Sequence, residues 1–150
     1  MKTLKVQLAR FRQMVLVVGM VALVAACSGD SSEVTIENIV DETGVGGSFT
    51  ATGSAICDAG EVHTQDFDIS ETLWWYEDRY TCADGSGAFV LRGELPGPDT
   101  EAEGDPEPLD GTWTILDGSG DYLNLEGSGT SHVDFVLAYI ESYVGEMSNG

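Results

Sequence analysis

The sequence predicts an all-β domain, a sandwich or a barrel. Eight short segments carry β-branched and aromatic residues in alternation, Gly- and Asp-rich turns separate them, and no long amphipathic helix interrupts them. The chain is organised around Gly111 to Gly129, GTWTILDGSGDYLNLEGSG, where Thr112 to Leu116 has strand character and glycine stands at 111, 118, 120, 127 and 129. Glycine so dense among apolar residues marks backbone that turns sharply or passes close to another strand. The stretch reads as a strand, a tight corner and a return.

In chain order, Glu33 to Val40 is a first strand that alternates Val34 and Ile36 and then slips to Ile39 and Val40. Asp41 to Gly47 is turn chemistry. Ser48 to Cys57 forms a second strand, in which Gly53 marks a bulge or a close approach. A third runs from Glu61 to Ile69, with Val62, Phe67 and Ile69 as its apolar positions. Leu73 to Cys82, LWWYEDRYTC, is the aromatic centre. Alternation puts Trp74, Tyr76, Asp78 and Tyr80 on one face and Leu73, Trp75, Glu77 and Arg79 on the other. Ala88 to Leu95 is the fifth strand, with Arg92 on the side of Ala88 and Val90.

Residues 96–110, PGPDTEAEGDPEPLD, hold four prolines and six acidic residues with little to bury, which predicts a solvated, mobile acidic loop inside one domain spanning 34–150. Strands six, seven and eight are placed at Thr112 to Leu116, Thr130 to Ala138 and Tyr143 to Met147. Val133, Val136, Leu137, Ile140 and Val144 also fit a helical stripe; the need for a pairing partner and the β-branched composition favour strand.

The N-terminus is a targeting segment. Lys2, Lys5, Arg10 and Arg12 precede an uncharged apolar run, Met14 to Ala26, too short to span a bilayer and suited to a signal-peptide core. The run ends Val24-Ala25-Ala26-Cys27 and is followed by a polar stretch. It resembles the processing site of bacterial lipoproteins. That resemblance implies a signal peptide over 1–26, a diacylglycerol on the Cys27 thiol and a lipidated polar tether over 27–33. An ordinary secretory peptide is the alternative. The expected location is the bacterial cell envelope, outside the cytoplasm, with the membrane reached through the lipid anchor.

Removal of 1–26 takes four of the six basic residues and none of the 26 acidic ones, so residues 27–150 carry a formal charge of −24. Such a surface repels phosphate backbones and argues against nucleic-acid binding. Cys57 and Cys82 are left as an even pair, for which a disulfide suits an oxidising compartment. A metal pair is the alternative, without CxxC spacing or a histidine cluster to support it. His63 near Asp66 and Asp68, and His132 near Asp134, read as surface residues. Asp117 to Asp121 hints at a calcium loop but has Tyr122 and Ser128 where that loop needs glycine and glutamate. Neither a metal nor a cofactor is expected.

The segment Gly118-Ser119-Gly120-Asp121-Tyr122, then Leu125 and Gly127, with a TCADGSG turn before it, resembles the allene oxide cyclase and dirigent-like barrel group over about Phe49 to Gly129. The resemblance implies an eight-stranded antiparallel barrel with a cavity along its axis. Members of that group include an isomerase that cyclises a fatty-acid epoxide and proteins that steer phenoxy-radical coupling. Their functional residues find no position-by-position match here.

The ligand-binding candidates are therefore Trp74, Tyr76, Asp78 and Tyr80, together with Arg92. Facing a barrel axis, they line a pocket for a flat or aliphatic molecule, or they simply fill a small core. A mostly filled barrel with a shallow mouth is expected. The function this favours is a non-enzymatic envelope lipoprotein that binds a small hydrophobic ligand or another envelope protein. An isomerase or cyclase is the alternative.

Overall fold

A computed structural model describes residues 31–97, 107–134 and 140–150. The expected signal peptide, Cys27, most of the expected tether and the centre of the acidic segment lie outside the described residues. Eight strands follow one another: β1 (Ser32–Val40), β2 (Gly46–Thr52), β3 (Ala59–Ile69), β4 (Leu73–Cys82), β5 (Gly87–Pro96), β6 (Leu109–Gly120), β7 (Leu125–Asp134) and β8 (Ile140–Asn149). Each pairs antiparallel with the next, and β8 pairs back on β1, so the sheet closes into a barrel. Closure leaves no sheet edge unpaired.

The strand boundaries differ from the sequence expectation where parity and pairing decide. β1 begins at Ser32, so residues placed in the tether belong to the sheet. β2 ends at Thr52 rather than Cys57. The supposed corner between β6 and β7 is mostly strand: Asp117 pairs with Val90 and Gly127 with Met147, and only residues 121–124 turn. Gly120 enters that turn at φ +67. Gly129 serves the other purpose, close approach: a Cβ there would meet the Val144 carbonyl oxygen at 2.0 Å and the indole of Trp113 at 2.8 Å. The segment from Val133 to Val144 is strand up to Asp134 and again from Ile140; residues 135–139 lie outside the described set.

Inward-facing residues fill the end of the barrel at which β4 finishes. Tyr80 and Phe89 stack with ring centroids 4.9 Å apart, and Phe49 meets Tyr80 edge-on at 5.1 Å. Tyr122 closes that end against Phe89 and shares a 2.8 Å hydrogen bond with Ser86. Trp113, fully buried, spans the interior toward β8 and donates its indole N–H to the Val144 carbonyl at 3.2 Å. Burying each such side chain contributes roughly 1.5–3 kcal/mol. Cys57, in the β2–β3 connection, is disulfide-bonded to Cys82 at the end of β4, with Cα atoms 5.9 Å apart. The bridge pins that connection to the filled end.

Candidate functional site

The opposite end of the barrel is open, and a shift in one strand shapes it. On β3, Val62 and Thr64 face inward opposite Tyr80 and Asp78. The pairing then slips between Thr64 and Asp66, so that Phe67 and Ile69 come opposite Tyr76 and Trp74. One extra residue in a strand changes which face its side chains occupy. The bulge turns two large apolar residues toward the interior, and they remain 58% and 59% exposed there. The change of parity from Val62 to Phe67 was visible in the sequence.

The resulting cavity has a volume of about 400 Å³ and is walled mainly by Val40, Val45, Phe67, Ile69 and Trp74, with Glu42 and Thr43 also in its lining. It reaches inward to Tyr76, Asp78 and Glu141. The interior is thus filled at one end and open at the other, and the mouth is deeper than the shallow one expected.

The cavity floor is polar. Asn38, the inward residue of β1 after Val34 and Ile36, donates to the Tyr80 hydroxyl at 2.8 Å and to Glu141 Oε2 at 3.1 Å. Tyr143 of β8 donates to the same Glu141 oxygen at 2.8 Å, and its hydroxyl also lies 3.0 Å from that of Tyr76. Tyr76 lies flat across β5 because residue 93 is glycine: a Cβ there would sit 2.3 Å from the tyrosine ring. Asp78 is 3% exposed, and its Oδ1 has no hydrogen-bond partner.

Burial governs the protonation of this cluster. It raises the Asp78 carboxyl from its ordinary value to about 7; the neighbouring Glu141 adds to the rise, and a hydrogen bond from Thr64 opposes it. Glu141 is also raised by burial, with its bonds to Tyr143 and Asn38 pulling the other way. Burial holds Tyr76, Tyr80 and Tyr143 well above the usual phenol value, so all three are neutral hydroxyls. No lysine, arginine or histidine lines the cavity among the described residues.

Of the sequence candidates, Trp74, Tyr76 and Asp78 come together at the cavity. Tyr80 lies beneath it in the filled core, touching the floor through Asn38. Arg92 is not part of the site, a correction to its candidacy. It lies on the outer face, with its guanidinium carbon 4.2 Å from the centroid of the Trp75 ring and ion pairs to Glu77 at 3.2 Å and Glu94 at 3.1 Å. Outward alternation of Trp75 and Glu77 takes Arg92 with them. His132 meets Asp110 across the β6–β7 pair at 2.7 Å, exposed on the surface.

Sequence reasoning passed over Asn38, Glu141 and Tyr143. Continuing the Val34, Ile36 parity by one step would have put Asn38 inside and Ile39 outside, where it is 60% exposed. Glu141 was missed because strand eight was begun at Tyr143, two residues late for the alternation that places both inside. The chain matches no protein family, no curated protein and no solved structure.

Proposed function

We propose that this protein is an exported, lipid-anchored barrel that binds one small, mainly hydrophobic molecule in the open half of its interior. The observation that carries the reading is the cavity of about 400 Å³, apolar at its walls and polar at its floor. That volume falls within the roughly 300–1,000 Å³ typical of small-molecule sites, which likewise combine apolar linings with a few placed polar groups. The Cys57–Cys82 disulfide agrees with an oxidising compartment, and the Val24-Ala25-Ala26-Cys27 sequence supports the anchor. Two measurements test the reading. Trp74 stands in the cavity wall, so occupancy should change tryptophan fluorescence, and Trp74→Phe should remove most of that change. In a bacterial host, Cys27→Ala should move the protein from the membrane fraction to the soluble one. A fluorescence signal indifferent to every apolar probe defeats the binding half, and an unmoved Cys27→Ala variant defeats the anchoring half.

One observation favours a second reading, an isomerase or cyclase of the kind the allene oxide cyclase resemblance implies. A carboxyl near pH 7 in an apolar cavity is matched to general acid–base work at neutral pH. In that reading Asp78 exchanges a proton with a neutral hydrophobic substrate that lies against Tyr76. Conversion of bound ligand by the native chain, lost in Asp78→Asn with binding kept, would select it.

A further inference from the structure

The floor of the cavity leaves buried acceptors without donors. Glu141 Oε2 takes hydrogen bonds from Asn38 and Tyr143. Asp78 belongs to the cavity lining, and its buried Oδ1 receives none; the buried Oδ1 of Asn38 receives none either. A buried acceptor without a donor costs about 1–3 kcal/mol, more when it is charged. The groups around Asp78 supply no cation: Thr64 faces it from β3, Tyr76 and Tyr80 from β4, Leu91 from β5, and Glu141 and Tyr143 from β8, with Glu42 at the rim. The two arginines outside the signal segment are on the outer face, Arg92 in its ion pairs and Arg79 by alternation with Asp78 and Tyr80.

We infer that the cavity takes a hydrophobic cation, an organic amine whose ammonium head meets Asp78 and Glu141 while its alkyl or aryl body lies against Phe67, Ile69 and Trp74. This rests on the ligand-binding reading above and names the ligand class within it. An ammonium brings three donors, no acceptor and a positive charge, which suits a floor of two carboxyl groups with no cation beside them among the described residues. Above about pH 7, where Asp78 has lost its proton, a fatty acid would bring a third carboxyl group to two, and a neutral alcohol would supply one donor and no positive charge. A bare divalent ion is a poor fit, since calcium takes six to eight oxygen ligands and no group of three or more acidic, histidine or cysteine side chains among the described residues is placed to hold one.

The test uses n-octylamine, n-octanol and octanoate as probes of equal length, titrated calorimetrically into the full chain carrying Cys27→Ala, so that no lipid anchor competes. At pH 8 and 0.15 M salt the amine should bind at least tenfold tighter than the alcohol, and octanoate weakest. Amine affinity should fall as pH drops below about 7, by up to tenfold per unit as Asp78 takes up its proton. Glu141→Gln and Asp78→Asn should each weaken the amine at least tenfold and leave the alcohol within about twofold. Because Asn and Gln keep the shape of the side chain, an alcohol still bound shows that the cavity is intact in each variant. Attraction to the acidic surface alone would fade in 0.5 M salt and ignore both variants; that outcome overturns the inference. Alcohol binding as tightly as amine, or octanoate binding best, overturns the inference and leaves the ligand-binding reading standing. No binding of any probe overturns both.

Discussion

Asp78 and Glu141 stand on strands β4 and β8, four places apart in a ring of eight, and their carboxyls meet in one cavity from opposite walls. Glu141 is held by Asn38 and Tyr143, whereas Asp78 keeps one oxygen without a donor. The two acids therefore differ in surroundings: one is anchored by the floor, the other keeps a buried oxygen that no donor reaches.

The first prediction follows from the proton on Asp78. Its folded value of about 7 lies above the ordinary 3.8, so between those values the folded state holds a proton that the unfolded chain releases. Stability contributed by this group is present below about pH 4 and is lost as pH rises through about 7, at up to about 1.4 kcal/mol per unit. Thermal melts from pH 4 to 8 should show a falling melting temperature. Asp78→Asn should flatten the slope and be more stable than the native chain at pH 8. Parallel slopes for the two proteins would show that Asp78 is not the group responsible.

A pair of glycine substitutions should separate the site from the scaffold. In Gly93→Ala the new methyl meets the ring of Tyr76, which borders the cavity and can swing into it. Stability should drop by about 1 kcal/mol, at the low end of overpacking costs, while binding of any cavity ligand is strongly weakened. In Gly129→Ala the methyl meets the backbone carbonyl of Val144, which cannot move without β8. That variant should lose about 3 kcal/mol or more. Denaturant unfolding ranks the two, and the reverse order would contradict this account.

The disulfide gives a third prediction. Cys57 and Cys82 are 25 positions apart, and constraining such a loop in the unfolded chain contributes roughly 3.5 kcal/mol. Cys57→Ser/Cys82→Ser should therefore unfold at lower denaturant, with an unfolding free energy smaller by about that amount, and a reducing agent should do the same to the native chain. Intact mass after alkylation checks the starting state: two free thiols in unreduced, folded protein would be incompatible with the bridge.

Charge provides the fourth. Residues 27–150 carry 26 acidic side chains against two arginines, one of them already paired with Glu77 and Glu94. Self-repulsion should weaken the fold at low ionic strength. Melting temperature should rise with added salt, and calcium or magnesium should act more strongly than sodium at equal ionic strength. A melting temperature insensitive to salt would mean that the carboxylates are too widely spaced to repel.

What the sequence determined by itself is the part that local physics controls. Alternating apolar residues with glycine turns specified strands, because a strand's side chains repeat every two residues. The same rule placed Trp74, Tyr76, Asp78 and Tyr80 on one face of β4, where the structure has them. An even pair of cysteines pointed to the Cys57–Cys82 bridge. What only the tertiary structure decided is whatever depends on register between strands distant in sequence. Asn38 and Glu141 are 103 residues apart and touch because β8 returns to pair with β1. Arg92 and Asp78 lie on adjacent strands yet face opposite sides of the sheet, since Arg92 pairs with Glu77 and Asp78 with Leu91. The division of the interior into a filled end and an open one is likewise beyond any single strand. It arises where the bulge in β3 turns Phe67 and Ile69 to the mouth, while Phe49, Phe89 and Tyr122 pack the other end solid.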